Sequence, residues 1–227
     1  QSYYDNFFDR TVDMINKYHP DLVYFDDSVL PFWPINDTGL KVVSHYYNQN
    51  MKLHKGNLNA VVFGKKLEAK HKEAIVWDVD KGVPSECQDK AWQTCSCLGT
   101  WHYNRSAYED NWYKSAETVI HMLIDIVSKN GNLLLSVPMK GNGTIDDKEE
   151  KILEDIAAWM EVNGEGIFDT RPWCIYGEGP STETAIHLDG AGFNEGKNAP
   201  YTSADIKKKK KGKYLYAHIM KWPSDGK

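Results

Sequence analysis

Apolar positions in the first eighty residues alternate between a helical period and short continuous runs. The helical period covers residues 3–18, where four large side chains fall on one face: Tyr4, Phe8, Val12 and Ile15. We expect this helix to end near Tyr18, because Pro20 disfavours helical geometry in the residue before it.

Short apolar runs and helices then follow each other. Strands are predicted at 21–26, 59–63 and 74–77. Between them the pattern predicts a helix capped by Thr38 that runs to about residue 54, and a helical turn at 65–71. A strand followed by a helix, recurring every few tens of residues, predicts the α/β class with parallel strands.

The pattern continues after an irregular stretch. Residues 83–101 show no period and predict a long loop rich in aromatic residues, of the kind that is functional or mobile. A strong helix then ends at Asn130-Gly131, a buried strand covers 133–138, and a helix runs from about 146 to 162.

Composition changes near residue 165, where helical patterns give way to Gly, Pro, Thr and short polar runs. Residues 214–220 predict one strand, while the five lysines at 207–211 predict a solvated, poorly ordered segment. The sequence therefore predicts two domains, an α/β domain over residues 1–175 and the start of a β-rich domain over 176–227.

The stretch His19-Pro20-Asp21-Leu22-Val23-Tyr24-Phe25-Asp26-Asp27-Ser28 is the most informative one. Its apolar centre predicts a buried parallel strand, and parallel strands of barrel enzymes keep their chemistry at the carboxyl end. Asp26 follows the apolar residues directly and is the candidate nucleophile. The alternative is that Asp26, Asp27 and Ser28 form a polar turn.

Charge and composition exclude several classes of function. A net charge of −5 over 227 residues gives no case for binding nucleic acid or an anionic membrane. No apolar run approaches the roughly twenty residues needed to span a bilayer. Eight Trp and thirteen Tyr supply faces for sugar rings, although most are expected in the core.

Neither the cysteines nor the first residues of the chain indicate a function. Cys95 and Cys97 are too close for an easy disulfide, and with Cys87 they lack zinc-site spacing, so reduced, half-buried thiols are expected. The chain opens at Gln1 in mid-pattern without a signal peptide, which we interpret as a piece of a longer or processed protein.

A second acid is required if Asp26 is a glycosidase nucleophile. Retaining glycosidases hold two carboxyl groups about 5 to 5.5 Å apart, one to attack and one to protonate the leaving oxygen. Glu86, in the aromatic-rich loop, is the candidate proton donor, with Asp80 and Asp78 as alternatives. The alternative for Glu86 is an exposed loop acid without a role.

Four stretches in order resemble the α-L-fucosidases of glycoside hydrolase family 29. They are His19 to Asp26; Trp92-Gln93-Thr94-Cys95 with Gly99-Thr100-Trp101-His102-Tyr103; Leu123-Ile124-Asp125-Ile126-Val127-Ser128-Lys129-Asn130-Gly131-Asn132-Leu133-Leu134-Leu135; and Trp159 through Asn163-Gly164-Glu165-Gly166-Ile167-Phe168 to Thr170-Arg171-Pro172-Trp173. The resemblance implies a partial (β/α)8-type barrel followed by the start of a β-sandwich. It also implies hydrolysis of terminal α-linked L-fucose from fucosylated glycans through a covalent intermediate, without metal or organic cofactor.

The resemblance assigns roles to individual residues. It makes Asp26 the nucleophile, matches Tyr24 to an aromatic two positions before it, and places Trp101 where an aromatic ring lines the sugar pocket. The acid/base is placed differently among subgroups, and where some members have Glu after the loop Trp, this chain has Gln93. Glu86 is chosen over Asp80 for its longer reach.

The sequence departs from the family pattern at two places, and two other functions remain possible interpretations. The family's fucose-binding His residues lie upstream of this chain, and Lys207–Lys211 replaces an alternating strand. A carbohydrate-binding barrel without catalysis, or a barrel glycosidase for another sugar, would explain the same acids. The family implies a secreted, periplasmic or lysosomal protein, and homo-oligomerisation is left open.

Overall fold

The computed structural model describes residues 2–26, 30–188, 194–224 and 226. The chain divides into two compact units, Gln1–Asp78 and Val79–Lys227. Both contain parallel strands connected through helices, which confirms the predicted α/β class.

The first unit begins with helix α1 (Tyr3–Tyr18), at the predicted bounds. The side chain of Ser2 accepts a hydrogen bond from the Asp5 amide, and the Asp5 carboxylate accepts one from the Ser2 amide. This reciprocal pair satisfies two amides that the first turn leaves free. The helix ends at His19, whose left-handed backbone (φ 45°) turns the chain toward the strand.

Three parallel strands and a second helix follow: β1 (Leu22–Phe25), α2 (Thr38–Leu53), β2 (Val61–Gly64) and β3 (Val76–Asp80). Strand β1 pairs with β2 from Leu22↔Val61 to Phe25↔Gly64, and β2 pairs with β3. Asp37 is the N-cap of α2 and Thr38 its first residue, so the predicted cap is displaced by one position.

The core of the first unit lies where α1 and α2 meet and where α2 meets the strands. Its buried members include Ile15, Val23, Val42, Tyr46, Val62 and Ile75. Two tyrosine hydroxyls reach out of this core, since Tyr46 donates to the carbonyl of Pro20 and Tyr47 to the carbonyl of Ala74, both at 2.6 Å. These bonds hold the starts of β1 and β3 on α2.

The second unit contains two further parallel strands with their helices: β4 (Trp92–Cys97), α3 (Arg105–Glu109), α4 (Ala116–Ser128), β5 (Gly131–Ser136) and α5 (Asp147–Asn163). Strand β4 pairs with β5 from Trp92↔Gly131 to Cys97↔Ser136. The helix that ends before Asn130-Gly131 is confirmed, and α5 begins one residue later than predicted. The strand after Gly131 is present but begins two residues earlier than predicted, and the prediction that it is buried is wrong, because Leu134 is 48% exposed.

The prediction of a long loop over residues 83–101 is wrong, because β4 lies inside it with all six residues buried. An apolar pattern does not reveal this strand, because several of its buried side chains are polar and form hydrogen bonds inside the protein. Thr94 donates to the carbonyl of Val79 at 2.6 Å, and Ser96 donates to the Glu195 carboxylate. All three thiols are free, as predicted; Cys87 is half-buried, but Cys95 and Cys97 are buried with this strand.

The chain after residue 170 forms an antiparallel sheet of β6 (Arg171–Glu178), β7 (Ile206–Lys211) and β8 (Tyr214–Ile219), with the short helix α6 (Pro180–Glu183) after β6. Strand β7 is central and pairs with both neighbours. The prediction that Lys207–Lys211 is a solvated segment is therefore wrong.

Alternating burial explains how five lysines form a central strand. Lys207 and Lys209 are buried on one face, while Lys210 is exposed on the other. The Lys207 ammonium lies 2.9 Å from Oδ1 of Asp125 on α4, whose Oδ2 lies 2.9 Å from Lys129. Burial alone would raise the pKa of Asp125, but the two ammonium charges outweigh burial and hold it below its ordinary value.

Lys209 is the exception in this strand. Its side chain is completely buried, and its ammonium nitrogen has no hydrogen-bond partner in the described part of the chain. Burial lowers the pKa of Lys209 to about 7. Burial and the charge of Lys209 together lower the pKa of His218 to about 4.

The predicted boundary at residues 175/176 falls inside β6, and it stays a prediction. Within the described ranges, no helix has both the length and the apolar composition that a membrane crossing requires.

Replacing Lys209 by Met is expected to stabilise the protein, most strongly at low pH. The folded state releases the Lys209 proton at a pKa of about 7, against an ordinary value of 10.5. The unfolded state therefore binds more protons across this window, and this group raises stability with pH by at most about 1.4 kcal/mol per unit. Urea unfolding near pH 6 and near pH 9 measures the difference.

The matched control is Lys210→Met, which changes the exposed neighbour on the same strand. It should leave the pH dependence of the unfolding free energy as in the wild type. Equal pH dependence in Lys209→Met and the wild type would show that Lys209 is not buried as an unpaired amine.

Candidate active site

The carboxyl ends of β1 and β2 bring together an acid and a lysine. Because Phe25 pairs with Gly64 in parallel register, the residues that follow them, Asp26 and Lys65, are neighbours. The Lys65 ammonium lies 2.8 Å from Oδ1 of Asp26. The Asp26 side chain is 78% exposed and that of Lys65 is 14% exposed, so the lysine is built into the unit and the acid projects from it.

Tyr24 shares this end of the first unit. It is half-buried, and its ring meets that of its register partner Phe63 edge-on, with 6.4 Å between the ring centres. Tyr24 and Asp26 are two positions apart, which is the spacing of side chains on one face of a strand. The polar turn considered for Asp27 and Ser28 lies outside the described residues.

The boundary between the two units falls within β3, and the carboxyl end of this strand, which carries Asp80, belongs to the second unit. The thiol of Cys95 donates to Oδ1 of Asp80 across a distance of 3.6 Å. The strand extends three residues beyond its predicted end at residue 77, so Asp78 lies within it and is only 1% exposed. Of the two alternative acids, Asp80 is therefore the one at the end of the strand.

Trp101 lies in the loop after β4, the strand that follows β3. It is 41% exposed, and the ammonium of Lys81 lies 4.9 Å from the centre of its indole ring. The structure therefore places Asp80, Lys81 and Trp101 around the carboxyl ends of β3 and β4.

Glu86 lies elsewhere in the second unit. It is exposed, and together with Cys174, Tyr176 and His187 it lines a shallow cavity of about 510 Å³. The segment is tied to β6 because the Tyr176 hydroxyl donates to the carbonyl of Ser85 at 2.9 Å. Glu86 thus neighbours the antiparallel sheet, whereas Asp80 ends a parallel strand.

The second unit also contains a cavity of 580 Å³ that none of the predicted site residues lines. It lies between α4 and residues 194–201, and the ion pair of Lys114 with Glu195, at 2.8 Å, forms part of its wall. Over the described residues, no three His, Cys, Asp or Glu side chains are grouped so that they could hold a metal ion.

Comparison with known proteins assigns the chain to a family. The sequence model described as Alpha-L-fucosidase matches residues 1–165. The chain belongs to the alpha-L-fucosidase family. Human tissue alpha-L-fucosidase is 25% identical over 230 residues, and human plasma alpha-L-fucosidase is 27% identical over 217 residues. Each alignment covers 94% of this chain and 41% of the relative, so the chain spans about two fifths of their length.

Solved structures of alpha-L-fucosidases share the fold. Thermotoga maritima alpha-fucosidase matches with a TM-score of 0.69 and 21% identity, covering 98% of this chain and 43% of that one. Alpha-L-fucosidase isoenzyme 1 from Paenibacillus thiaminolyticus matches with a TM-score of 0.63 and 20% identity, covering 96% and 47%. The Thermotoga enzyme has also been solved in complex with a mechanism-based inhibitor.

Sequence reasoning missed Lys65 and Lys81. A signal for both was present, since each follows a strand of the parallel set in the way that Asp26 follows β1. Lysines are not conspicuous on a chain with many charged residues, and only the folded structure shows that Lys65 meets an acid and Lys81 an aromatic ring.

Proposed function

We propose that the protein containing this chain is a retaining exo-glycosidase that removes terminal α-linked L-fucose from glycans through a covalent glycosyl-enzyme intermediate. The observation that carries the proposal is Asp26, placed at the carboxyl end of a parallel strand beside Lys65 in a member of the alpha-L-fucosidase family. The mechanism-based inhibitor complex of the Thermotoga enzyme supports a covalent route by analogy.

In the proposed reaction, Asp26 attacks the anomeric carbon while a second acid protonates the leaving oxygen. Water then attacks the glycosyl ester, and the second acid, now a base, accepts the proton of that water. Lys65 holds one carboxylate oxygen of Asp26, so the other oxygen keeps a fixed direction toward the sugar. Holding the nucleophile in one orientation reduces the entropy lost on the way to the transition state.

We propose Glu86 as the acid/base, with Asp80 as the competing assignment. The length and exposure of the Glu86 side chain support it as a group that can reach a substrate. The position of Asp80 at a strand end, directly before the lysine that contacts Trp101, supports the alternative. Asp78 is supported least, because its side chain is buried within β3.

We propose that Tyr24 and Trp101 bind the sugar. Tyr24 precedes Asp26 by two positions near the carboxyl end of β1, and the exposed indole of Trp101 offers an apolar surface for the C5 methyl of fucose. The substrate is a fucosylated glycan, and the reaction uses neither a metal nor an organic cofactor.

The finer architecture is also a proposal. The parallel strands and the likeness to solved fucosidases support a partial (β/α)8-type barrel over residues 1–175. The antiparallel sheet supports the start of a β-sandwich over 176–227. We propose a secreted, periplasmic or lysosomal location on the family resemblance alone.

Asp26→Gly in the full-length protein is expected to lower turnover of an aryl α-L-fucoside by about a thousandfold or more, because the nucleophile is removed. Azide should restore turnover by attacking the anomeric carbon in its place. Asp13→Asn, which removes an exposed acid paired with Lys17, is the control and should keep wild-type kinetics. Turnover near the wild-type rate in Asp26→Gly would remove Asp26 from the mechanism.

The acid/base is identified by comparing Glu86→Gln with Asp80→Asn on substrates that differ in leaving group. Loss of the acid should slow substrates with poor leaving groups much more than those with activated ones. We expect this selective loss in Glu86→Gln. The same selective loss in Asp80→Asn, with Glu86→Gln unaffected, would transfer the role to Asp80.

Lys65→Met is expected to lower kcat/KM by about ten- to a hundredfold, the usual effect of losing a hydrogen bond between charged groups. Lys65→Arg should retain more activity, because it keeps the charge and the donor. Lys41→Met removes the exposed ion pair with Asp37 and serves as the control. If Lys65→Met matches the wild type, the contact with Asp26 has no part in the reaction.

A further inference from the structure

The backbone of Lys81 is held in an unusual conformation next to Asp80. Its φ angle of 44° lies in the left-handed region, which is unfavourable for a residue with a Cβ atom. A left-handed backbone favours glycine, yet the glycine of this segment, Gly82, is the next residue. Left-handed residues other than Gly cluster at functional sites.

Two backbone hydrogen bonds fix this conformation. The Lys81 amide donates to the carbonyl of Cys95 at 3.0 Å, and the Lys81 carbonyl accepts from the Glu195 amide at 2.9 Å. The first bond joins Lys81 to β4, so the direction of the Lys81 side chain is set relative to the loop that follows β4.

The side chain of Lys81 extends to Trp101. The Lys81 ammonium lies 4.9 Å from the centre of the indole ring, within the range of a cation–π contact. One face of the ring is thus covered by the ammonium. Trp101 is still 41% exposed, so part of the indole remains open to a ligand.

We propose that Lys81 is a positioning residue that holds the Trp101 indole in place and thereby determines the preference for a sugar with a methyl group at C5. The inference deepens the proposed function and rests on it. A methyl group gains contact energy only from a surface of the right orientation, and an indole without Lys81 can rotate about two side-chain bonds.

The test compares two aryl glycosides in the full-length protein: the α-L-fucoside, and the pentoside of the same ring stereochemistry that lacks the C5 methyl. The readout is the ratio of their kcat/KM values. Lys81→Met is expected to lower this ratio by about two- to fivefold, the usual worth of an exposed cation–π contact, while Lys81→Arg should keep it. A purely structural role would lower both values equally and leave the ratio unchanged.

Three further variants make the result decisive. Lys81→Gly relaxes the backbone but removes the contact, so it should lose the preference without losing thermal stability. Lys213→Met removes a similar contact, with Tyr214 on β8, and should keep the ratio. In Trp101→Ala the ratio should already be low, and adding Lys81→Met should not lower it further.

Separate outcomes test the two levels of the proposal. A wild-type protein that hydrolyses the fucoside, with a ratio that Lys81→Met leaves unchanged, overturns the role of Lys81 alone. A wild type that hydrolyses neither glycoside contradicts the proposed function. In that event the same variants are compared by calorimetric affinity for L-fucose and for the pentose, and an unchanged affinity ratio in Lys81→Met overturns the inference.

Discussion

Parallel register between β1 and β2 is the constraint on which the candidate site depends. Two strands that run side by side in the same direction end at the same edge, so the residues that leave them meet there. Phe25 opposite Gly64 places Asp26 beside Lys65, and a shift of one residue would move the lysine to the other face of its strand. Val23 and Val62 pack with residues of α2 in the core and fix this register. The position of the two charged groups therefore depends on that packing.

The sequence is most informative where apolar residues alone determine an element. Helix α1 and strands β1 and β5 form where apolar residues predict them, and Asp26 stands out in the sequence because it directly follows such a run. The same reasoning could not find Lys65, because its role depends on a neighbour 39 residues away in the chain, reached only through strand pairing.

Strands β4 and β7 were missed for the opposite reason, since polar and charged residues lie in the interior. In β4 the hydroxyls of Thr94 and Ser96 are satisfied by a carbonyl and a carboxylate. In β7 the charge of Lys207 is balanced by Asp125. Burying such groups is favourable only when partners are present, and partners distant in the chain cannot be read from local composition.

The pair of Asp125 with Lys207 has a consequence for how this chain can be divided. Asp125 belongs to α4 and Lys207 to the strand at the centre of the last sheet, on opposite sides of the boundary proposed at residue 175. A fragment ended there would leave Asp125 with Lys129 alone and would uncover Ile120 and Ile124, which pack in one cluster with Met220. The last sheet therefore covers part of α4 and neutralises its buried acid, so a cut at residue 175 would expose apolar surface and a buried charge together.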